Sequence, residues 1–598
     1  MRKGILAISQ RLPKKISTLF LLFIAAVSIV SSFDRMGYKK GWERTVWMDG
    51  RGYYTYLPAV FIYNDPTCAF YSAKSVVQPD TANFLNLVDG KLVNKYFVGE
   101  ALCQLPFFAI SHLVANVFDF EPNGYSKPYQ YGVAIAALFY FLISFFFIWK
   151  FLKLFEFSDS VILFVCICLA FGTNLFYYAV YEPSMVHIYS FCFITGFLYL
   201  GRSFILLPSV RKILQLGVVL GIIALIRPVD LIICTAFPLL AGNMENLKSI
   251  LKWLRNHLLY LFFSFLILLL IISIQLIIYY WQTGHYFLWS YKSEGFNFAH
   301  PHVFGTLFSY EKGLFVYMPI LFVGLMGLFV IAFRKPYLLL SILPVLGIIV
   351  YVVSSWHDWR YGYSFGLRAY VDFYGLVALT FAFLIDFVFH KKVLFFLIGV
   401  ICFVLIGVYS VQQYQFNNNI IHPGSMNEER YWMVFLHTEK KFADSIERLP
   451  YIMESQGNFN DMEGSVDWPG TETIHKGIAH SGEFASLIDS TAPYSAVFCR
   501  KMDDEVFNSS STIKISVWIS KKQLEAAGKI VIVQVGRDST FYSKKFAIDS
   551  KKAPMQWMNI KLDVNIPQRK MENEYLKVYL ECWKGTIYVD DFSVEIIE

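Results

Sequence analysis

The segment LLYLFFSFLILLLIISIQLIIYY, residues 258–280, decides the fold class. It contains no charged side chain. An apolar run of this length matches the hydrocarbon core of a bilayer and predicts a transmembrane helix. Similar runs recur between Ile16 and Ser410 in a chain of 598 residues, 56% of them hydrophobic and 16% charged. The sequence therefore predicts a polytopic α-helical membrane protein.

The apolar runs predict about eleven crossings. We place nine of them at residues 16–33, 129–151, 161–180, 185–200, 258–280, 314–333, 337–353, 371–389 and 393–410. The run 213–240 is too long for one span and is interrupted by Arg227-Pro228-Val229-Asp230. Basic loops flank it on both sides and favour the cytoplasm, so it should cross twice, as a hairpin with Arg227 and Asp230 at its outer tip.

This arrangement divides the chain into three parts. Residues 1–412 form the transmembrane domain, whose large first extracytoplasmic loop is 34–127. Within that loop we expect an interfacial helix interrupted by Pro106. Residues 413–455 are a connector, partly helical around 428–448. Short alternating strands punctuated by Gly, Asn, Asp and Pro predict an extracytoplasmic all-β sandwich over 456–598. Its Cys499 and Cys582 can pair if that part is extracytoplasmic.

The net charge of +7 is small for this length. We attribute it to cytoplasmic loop lysines, and it argues against a nucleic-acid partner.

The most unusual polar stretch is WHDWRYGYSFGLRAY, residues 356–370. Aromatic faces suit sugar rings, and arginine matches phosphate with two parallel hydrogen bonds. Arg360 and Arg368 lie in a short outer loop, against the positive-inside tendency, which indicates an anionic ligand. The stretch adds candidate substrate contacts at Trp356, His357, Asp358 and Trp359. An aromatic belt at the membrane interface is the alternative for the tryptophans.

Other candidates lie near the outer ends of the predicted helices. Asp49 is a candidate general base, and Glu100 is a second carboxylate. Lys95 and Lys312 are candidate phosphate ligands. Further candidate substrate contacts are Arg51, Tyr54, Glu182, His187 and Arg227. Each has a structural alternative: an Asp-Gly turn at Asp49, surface ion pairs, interface anchors, a hydrogen-bonded histidine, or snorkelling lysines. Glu182, His187 and Asp358 could also hold a divalent cation, although no spacing requires it.

At these residues the chain resembles the GT-C superfamily of integral-membrane glycosyltransferases, in particular bacterial relatives of protein O-mannosyltransferases and lipid A aminoarabinose transferases. The resemblance covers residues 1–412. It depends on Asp49 followed by Tyr53-Tyr54, and on the segments KYFVGEALCQLPFF, SMVHIYSFC, LIRPVD, EKGLFVYMP and W-x-x-W-x-x-G-x-S-F-G-x-R. It implies inverting transfer from a polyprenyl-phosphate sugar, with Asp49 as base and Arg368 on the phosphate. Gly50 stands where the family often has a second acid, so metal use and the base stay open, with Glu100 as the other candidate.

The C-terminal part looks like a galactose-binding-like jelly roll. That resemblance implies contact with carbohydrate, and a possible structural Ca²⁺ held by Glu483 and Asp591.

The sequence thus predicts a glycosyltransferase of the inner (cytoplasmic) membrane with its active site and β domain outside. Its expected partners are membrane lipids, a polyprenyl-phosphate sugar and an acceptor protein, lipid or glycan. Three alternatives remain: a transporter or flippase for a lipid-linked glycan, a non-enzymatic envelope-assembly protein, and a glycan polymerase or ligase.

Overall fold

A computed structural model describes residues 15–68, 70, 84–88, 91–292, 294–422, 424, 426–439, 457–463, 468, 473–489, 492–502, 511–535, 540–548, 553–568 and 574–597. The chain forms two units. One comprises Met1–Phe416 and Met426–Leu436, and the other comprises Asn417–Ser425 and His437–Glu598. The first is largely helical and the second is a β structure.

The helical unit is built from helices of very different lengths. Its α-helices are α1 (Lys15–Gly37), α2 (Asp49–Phe61), α3 (Gly99–Val117), α4 (Lys127–Lys153), α5 (Asp159–Gly172), α6 (Leu175–Val180), α7 (His187–Leu206), α8 (Val210–Ile226), α9 (Phe237–Ala241), α10 (Met244–Asn256), α11 (Leu258–Thr283), α12 (Val303–Phe308), α13 (Leu314–Tyr317), α14 (Pro319–Leu325), α15 (Gly327–Arg334), α16 (Pro336–Ser354), α17 (Tyr374–Phe389), α18 (Lys392–Asn417) and α19 (Glu428–Val434). Its 3₁₀ helices span Tyr38–Arg44, Pro228–Ala236 and Arg368–Phe373, and a hairpin joins β1 (Leu85–Val88) to β2 (Lys91–Asn94).

Among the described residues, seven helices are long and apolar enough to cross a membrane. They are α3, α4, α7, α11, α16, α18, and α17 together with the 3₁₀ turn before it. The unit is therefore a membrane domain, but eleven crossings are not confirmed. The predicted span 314–333 is broken into α13, α14 and α15. Proline has no N–H to continue a helix, and α14 begins at Pro319.

The helix expected at the membrane interface is continuous and long enough to span. Pro106 lies inside α3 and does not interrupt it. In the same stretch of α3, the Cys103 carbonyl accepts a hydrogen bond from the Tyr140 hydroxyl at 3.1 Å. This hydrogen bond joins α3 to α4, which carries Tyr140.

The run 213–240 goes out and returns along α7. At one end, Arg202 donates hydrogen bonds to the carbonyls of Leu240 and Ala241 at 2.8 and 2.6 Å. Lys212, at the start of α8, donates to the Ser203 carbonyl at 2.9 Å. Both ends of the segment therefore lie beside the C-terminal end of α7. Its return limb begins as a 3₁₀ helix, and Arg227 lies at the turn.

Basic side chains collect at this same end of the helices. Arg202 lies 4.4 Å from the ring of Phe155, and Arg334 and Lys391 lie 4.8 and 3.9 Å from the ring of Phe387. The opposite end of the helices carries the start of α7, the end of α8 and the turn before α17. The candidate site lies there.

The second unit contains two antiparallel sheets. Its strands are β3 (Phe459–Asn460), β4 (Ile474–Lys476), β5 (Phe484–Asp489), β6 (Phe498–Lys501), β7 (Ser511–Lys521), β8 (Ala527–Val535), β9 (Thr540–Ala547), β10 (Met558–Ile566), β11 (Tyr575–Lys584) and β12 (Thr586–Ile597). One sheet has the order β10-β7-β12-β5-β4, with β3 also pairing with β12, and the other has the order β6-β11-β8-β9. Alternate residues of both sheets share one buried apolar core, as in a sandwich.

Two further expectations concern the cysteines of this unit and the connector before it. Cys499 and Cys582 are both buried, and Cys499 lies opposite Lys577 on the neighbouring strand, so the disulfide considered between these two cysteines does not form. The predicted connector starts inside α18, which continues to Asn417. Its expected helix around 428–448 is seen as α19, Glu428–Val434, and residues 440–448 lie outside the described residues.

Trp468 should dominate the stability of the β unit. Its side chain is 1% exposed and its ring centroid lies 5.4 and 5.3 Å from those of Phe498 and Phe592. We expect Trp468→Ala to cost about 3–5 kcal/mol, because it leaves a large cavity in the core. Limited proteolysis of the full chain in increasing urea would measure the loss. Trp583→Ala is the control, since Trp583 is 51% exposed; equal sensitivity of the two variants would contradict the prediction.

Candidate functional site

A cavity of about 790 Å³ opens at the end of the helices opposite the basic cluster. Its wall comes from six places in the chain: the start of α2, the segment after β2, the start of α7, the end of α8, the loop after α11, and the stretch from the end of α16 to Phe373. Eight of the sequence-predicted site residues line it: Asp49, Lys95, His187, Arg227, Trp356, His357, Asp358 and Arg368.

Asp49 lies at the N-terminus of α2, where the helix dipole favours a negative charge. Gly50 lets this end approach the next wall closely, because a Cβ there would lie 2.0 Å from the Ser184 hydroxyl oxygen. The Asp49 carboxylate accepts a hydrogen bond from Arg368 at 2.6 Å, and its side chain is 34% exposed. Burial alone would raise the pKa of Asp49, but the charge of Arg368 and a hydrogen bond from Tyr96 hold it below the usual value.

Arg368 begins the 3₁₀ turn Arg368–Phe373, and Asp372 lies one turn later. The Asp372 side chain is fully buried and uses both of its oxygens. Oδ1 contacts Nδ1 of His187 at 2.9 Å, and Oδ2 accepts a short hydrogen bond from Arg227. One short turn therefore presents a cation toward Asp49 and a carboxylate toward Arg227 and His187.

A second carboxylate lies in the same wall. Asp230 is fully buried and lines the cavity. Among the described residues, neither of its oxygens has a partner with good hydrogen-bond geometry, although the side chains of Ser190 and Asp372 are its polar neighbours. This acid is therefore less well satisfied than Asp372.

Lys95 follows the β1–β2 hairpin and is held by an acid that the sequence analysis did not identify. Its ammonium lies 2.9 Å from the carboxylate of Glu294. The hairpin is anchored to α2, because the Asn94 amide donates to the Gly52 carbonyl at 2.7 Å. Beside it, the rings of Tyr53 and Tyr96 pack with centroids 4.3 Å apart. This wall is thus aromatic with one paired cation.

Trp356 forms the facing aromatic wall. Its ring lies edge-on to Phe296 and Tyr291, with centroids 4.9 and 5.8 Å away. The backbone N–H of His357 donates to the Gly295 carbonyl at 2.9 Å, which joins this loop to the loop after α11. Asp358 accepts the backbone N–H of Gly362 at 2.8 Å, so its carboxylate shapes the loop as well as facing the cavity.

Seven predicted site residues do not line the cavity: Arg51, Tyr54, Glu100, Glu182, Lys312, Trp359 and Arg360. Glu100 is fully buried; one oxygen accepts from Gln104 at 2.8 Å, and the other has no hydrogen-bond partner in the part of the chain that the structure describes. Arg360 pairs with Glu311 on the surface, and Trp359 stacks near His302 at 5.6 Å. The sequence could not separate Arg360 from Arg368, because the two share one loop.

The remaining residues of this group have structural partners. Arg51 is buried, with its guanidinium 4.6 Å from the Trp47 ring, and the Tyr54 hydroxyl donates to the Gly124 carbonyl. Glu182 accepts from the Tyr177 hydroxyl at 2.9 Å, and burial raises the pKa of Glu182. The Lys312 ammonium donates to the Ser364 carbonyl.

Lys312 gives a pH-dependent prediction. Its side chain is 2% exposed. Burial, reinforced by the charge of Arg368, lowers the pKa of Lys312 to about 7. The acids Glu182, Asp358 and Glu311 oppose this shift only in part. The pKa of a lysine in an unfolded chain is about 10.4. As the pH rises, Lys312 therefore loses its proton at a lower pH in the folded state than in the unfolded state. Burial of its charge destabilises the folded state fully below pH 7, and this destabilisation disappears as the pH rises to about 10.

We therefore expect Lys312→Met to stabilise the protein relative to wild type by an amount that is largest near pH 6 and shrinks toward pH 10, on the order of a few kcal/mol. Thermal unfolding in detergent across this range would measure the difference. Lys40→Met, at a side chain that is 76% exposed, is the control. A difference that does not change with pH would contradict the prediction.

The described residues give no group of three or more His, Cys, Asp and Glu side chains that could hold a metal ion. Glu182 is bonded to Tyr177, His187 to Asp372, and Asp358 to its own loop. In the β unit, Glu483 pairs with Lys476 whereas Asp591 contacts His480, so the two acids considered for Ca²⁺ have separate partners.

Three acids of the site were not among the predicted site residues: Asp230 and Glu294, which line the cavity, and Asp372, which is buried behind Arg227. Asp230 was noted only as part of a hairpin tip. Asp372 lies inside the apolar run 371–389, where a lone acid is expensive unless it has a partner or a function. That cost was the available signal for Asp372. Glu294 lies in a loop with no comparable pattern.

No model of a known protein family matches the chain, and no curated protein matches it. A structure described as family 16 carbohydrate-binding module 2 aligns with a TM-score of 0.16 and 10% identity, over 21% of this chain and 89% of that one. The cryo-EM structure of the arabinosyltransferase EmbB from Mycobacterium smegmatis aligns with a TM-score of 0.33 and 12% identity, over 96% of this chain and 64% of that one. This chain thus spans just under two thirds of the EmbB chain. At these TM-scores neither similarity identifies a fold or an activity for this protein.

Proposed function

We propose that this protein is a membrane glycosyltransferase that moves a sugar from a polyprenyl-phosphate donor to an acceptor hydroxyl. One observation carries the proposal. The carboxylate of Asp49 and the guanidinium of Arg368 meet at 2.6 Å on the wall of an aromatic-lined cavity, at one end of the membrane helices. Carboxylate, cation and aromatic ring are the groups that a sugar phosphate and an incoming hydroxyl require.

The proposed reaction is a single displacement with inversion. Asp49 accepts the proton of the acceptor hydroxyl as the hydroxyl oxygen attacks the anomeric carbon. The bond between that carbon and the phosphate oxygen breaks, and the phosphate keeps the electron pair. Arg368 and Lys95 balance the charge that develops on the phosphate.

The ion pair between Asp49 and Arg368 constrains this scheme. In a displacement with inversion, the base and the leaving phosphate lie on opposite faces of the sugar ring. Arg368 must therefore move away from Asp49 when it takes the phosphate. That movement would also release Asp49 from the charge that lowers its pKa, so donor binding and activation of the base are coupled.

The charge distribution supports an extracytoplasmic site. Basic side chains of Arg202, Arg334 and Lys391 gather at the end of the helices opposite the cavity. Loops rich in lysine and arginine favour the cytoplasm. We therefore propose that the cavity opens on the outer side of the inner membrane.

The loop after α11 favours a lipid-linked donor. Leu288, Trp289 and Phe296 line the cavity, and in the same loop the side chains of Phe287 and Trp289 are 83% and 56% exposed. Exposed aromatic side chains next to membrane helices suit the interface with lipid. A polyprenyl chain could thus lie in the membrane while its phosphate reaches the cavity.

The test is a donor panel. The purified full chain in lipid nanodiscs would be incubated with radiolabelled polyprenyl-phosphate hexoses and pentoses and a mixture of membrane acceptors. We expect one donor to be consumed and its sugar to appear in a product of inverted anomeric configuration, determined by NMR. Consumption of no donor by folded protein, or a product of retained configuration, would contradict the proposal.

A lipid-linked glycan transporter is the second candidate, and one observation favours it. The helical path is broken after Ile226, and three charged residues, Arg227, Asp230 and Asp372, lie at the break. Transporters place binding sites at such interrupted helices. Movement of a fluorescent lipid-linked oligosaccharide across proteoliposomes, without loss of its sugar, would support this candidate over transfer.

A further inference from the structure

Arg227 is held more firmly than a surface arginine. It follows the last residue of α8, and its guanidinium donates to Oδ2 of Asp372, which is fully buried. The other oxygen of Asp372 contacts Nδ1 of His187 at 2.9 Å. Asp372 therefore cannot turn away without losing both contacts, and the direction of the Arg227 guanidinium is fixed with it.

The guanidinium of Arg227 also has capacity left for a ligand. Arginine carries five N–H donors. Within the described part of the chain, Asp372 accepts the hydrogen bond that this side chain donates, and 17% of the side chain remains exposed on the cavity wall. A fixed arginine with free donors is suited to bind a phosphate group.

Arg227 differs in this respect from Arg368. Arg368 faces Asp49 and must break that ion pair to hold a phosphate. Arg227 can keep its hydrogen bond to the buried Asp372 while its other N–H groups bind a phosphate. A carboxylate that orients a binding group is a positioning residue, comparable to the acids that orient metal-binding histidines.

We propose that Arg227 binds the anionic phosphate of the ligand and that Asp372 is its positioning residue. The inference rests on the proposed function only in taking the phosphate to be that of a polyprenyl-phosphate donor. The 3₁₀ turn Arg368–Phe373 then connects the two arginines of the site, since it carries Arg368 itself and the acid that holds Arg227.

The test measures binding separately from transfer. Equilibrium binding of a radiolabelled polyprenyl phosphate, and of inorganic phosphate, would be measured for the full chain in nanodiscs. The variants are Arg227→Gln, Asp372→Asn and the double variant. Asp386→Asn, in α17 and away from the cavity, is the matched control.

We expect each single variant to weaken binding of the polyprenyl phosphate about tenfold, the lower end of the loss seen when a residue that orients a metal-binding side chain is replaced. The double variant should bind no more weakly than Arg227→Gln, because Asp372 acts through Arg227. If the site recognises the phosphate itself, inorganic phosphate should bind more weakly than the lipid, and the variants should rank in the same order for both probes. Weaker binding of the polyprenyl phosphate alone would overturn the assignment of Arg227 to the phosphate. Additive losses, or unchanged binding in Asp372→Asn, would overturn the inference.

If Asp372→Asn does not fold, as judged by gel filtration and thermal unfolding, Arg227→Lys and Arg227→Gln decide the question. Wild-type binding in both would overturn the inference. In the transfer assay, Asp372→Asn should raise the KM for the donor and leave the KM for the acceptor unchanged, which a general loss of structure would not do. A protein that binds phosphate with this variant pattern yet transfers no sugar would contradict the proposed function alone.

Discussion

Replacing Asp49 by asparagine is expected to lower the rate of sugar transfer by about 10²–10⁴-fold, the usual contribution of a general base. The amide has nearly the same shape as the carboxylate and can still contact Arg368, but it cannot accept the proton of the acceptor hydroxyl. Binding of the donor should not weaken, because the phosphate contacts are made by other side chains and Arg368 no longer has to leave an ion pair with Asp49. The effect should therefore appear as a fall in kcat without a rise in the KM for the donor.

Single-turnover consumption of the donor by wild-type and Asp49→Asn protein measures this loss. Glu43→Gln is the matched control, since Glu43 lies in the 3₁₀ helix just before α2 and its side chain is 52% exposed. Glu100→Gln tests the other candidate base, which is buried away from the cavity. Equal rates for wild type and Asp49→Asn would remove Asp49 as the base.

Replacing Arg368 by alanine should have the second large effect, and it should act in two ways. Loss of a group that stabilises the developing charge on the phosphate should lower kcat by about 10²–10³-fold. In addition, Asp49 loses the positive charge that lowers its pKa, while the burial that raises it remains. The pKa of Asp49 should therefore rise.

Because Asp49 acts as a base only when ionised, this shift has a defined sign. The residual activity of Arg368→Ala should fall at a higher pH on the acidic side than wild-type activity does. The pH dependence of kcat/KM reports the free enzyme and would show the displacement. Arg360→Ala is the control from the same loop, where the arginine pairs with Glu311 outside the cavity. An unshifted acidic limb in Arg368→Ala would mean that the ion pair does not set the basicity of Asp49.

The helical fold class and the β unit were predictable because each follows from a local pattern. Apolar runs indicate membrane helices, and alternation indicates strands. The number of membrane crossings was not predictable in the same way. A run such as 314–333 has the composition of one span but contains Pro319, where a new helix begins. Whether an apolar run stays one helix depends on the neighbours that satisfy its backbone, and the sequence does not show these neighbours.

The candidate site was predictable in part for the same reason. Asp49 and Arg368 are 319 residues apart in the chain and were selected for their residue types and loop positions, yet the structure brings them together. For the other candidate residues, burial and hydrogen-bond partners determine whether they belong to the site. Glu100 and Lys312 had the right chemistry but are buried away from the cavity, whereas Asp372 seemed part of an apolar run and lies at the centre of a hydrogen-bonded group.

The pairing of charges in the cavity has a consequence for how a ligand arrives. Lys95, Arg227 and Arg368 each already have an acidic partner: Glu294, Asp372 and Asp49. Such pairs largely cancel beyond their immediate surroundings, so the cavity projects little attraction on a distant anion. Association should then depend only weakly on ionic strength, unlike binding to a site of bare positive charge. The ligand would be concentrated by its partition into the bilayer, and the arginines would select it after it arrives.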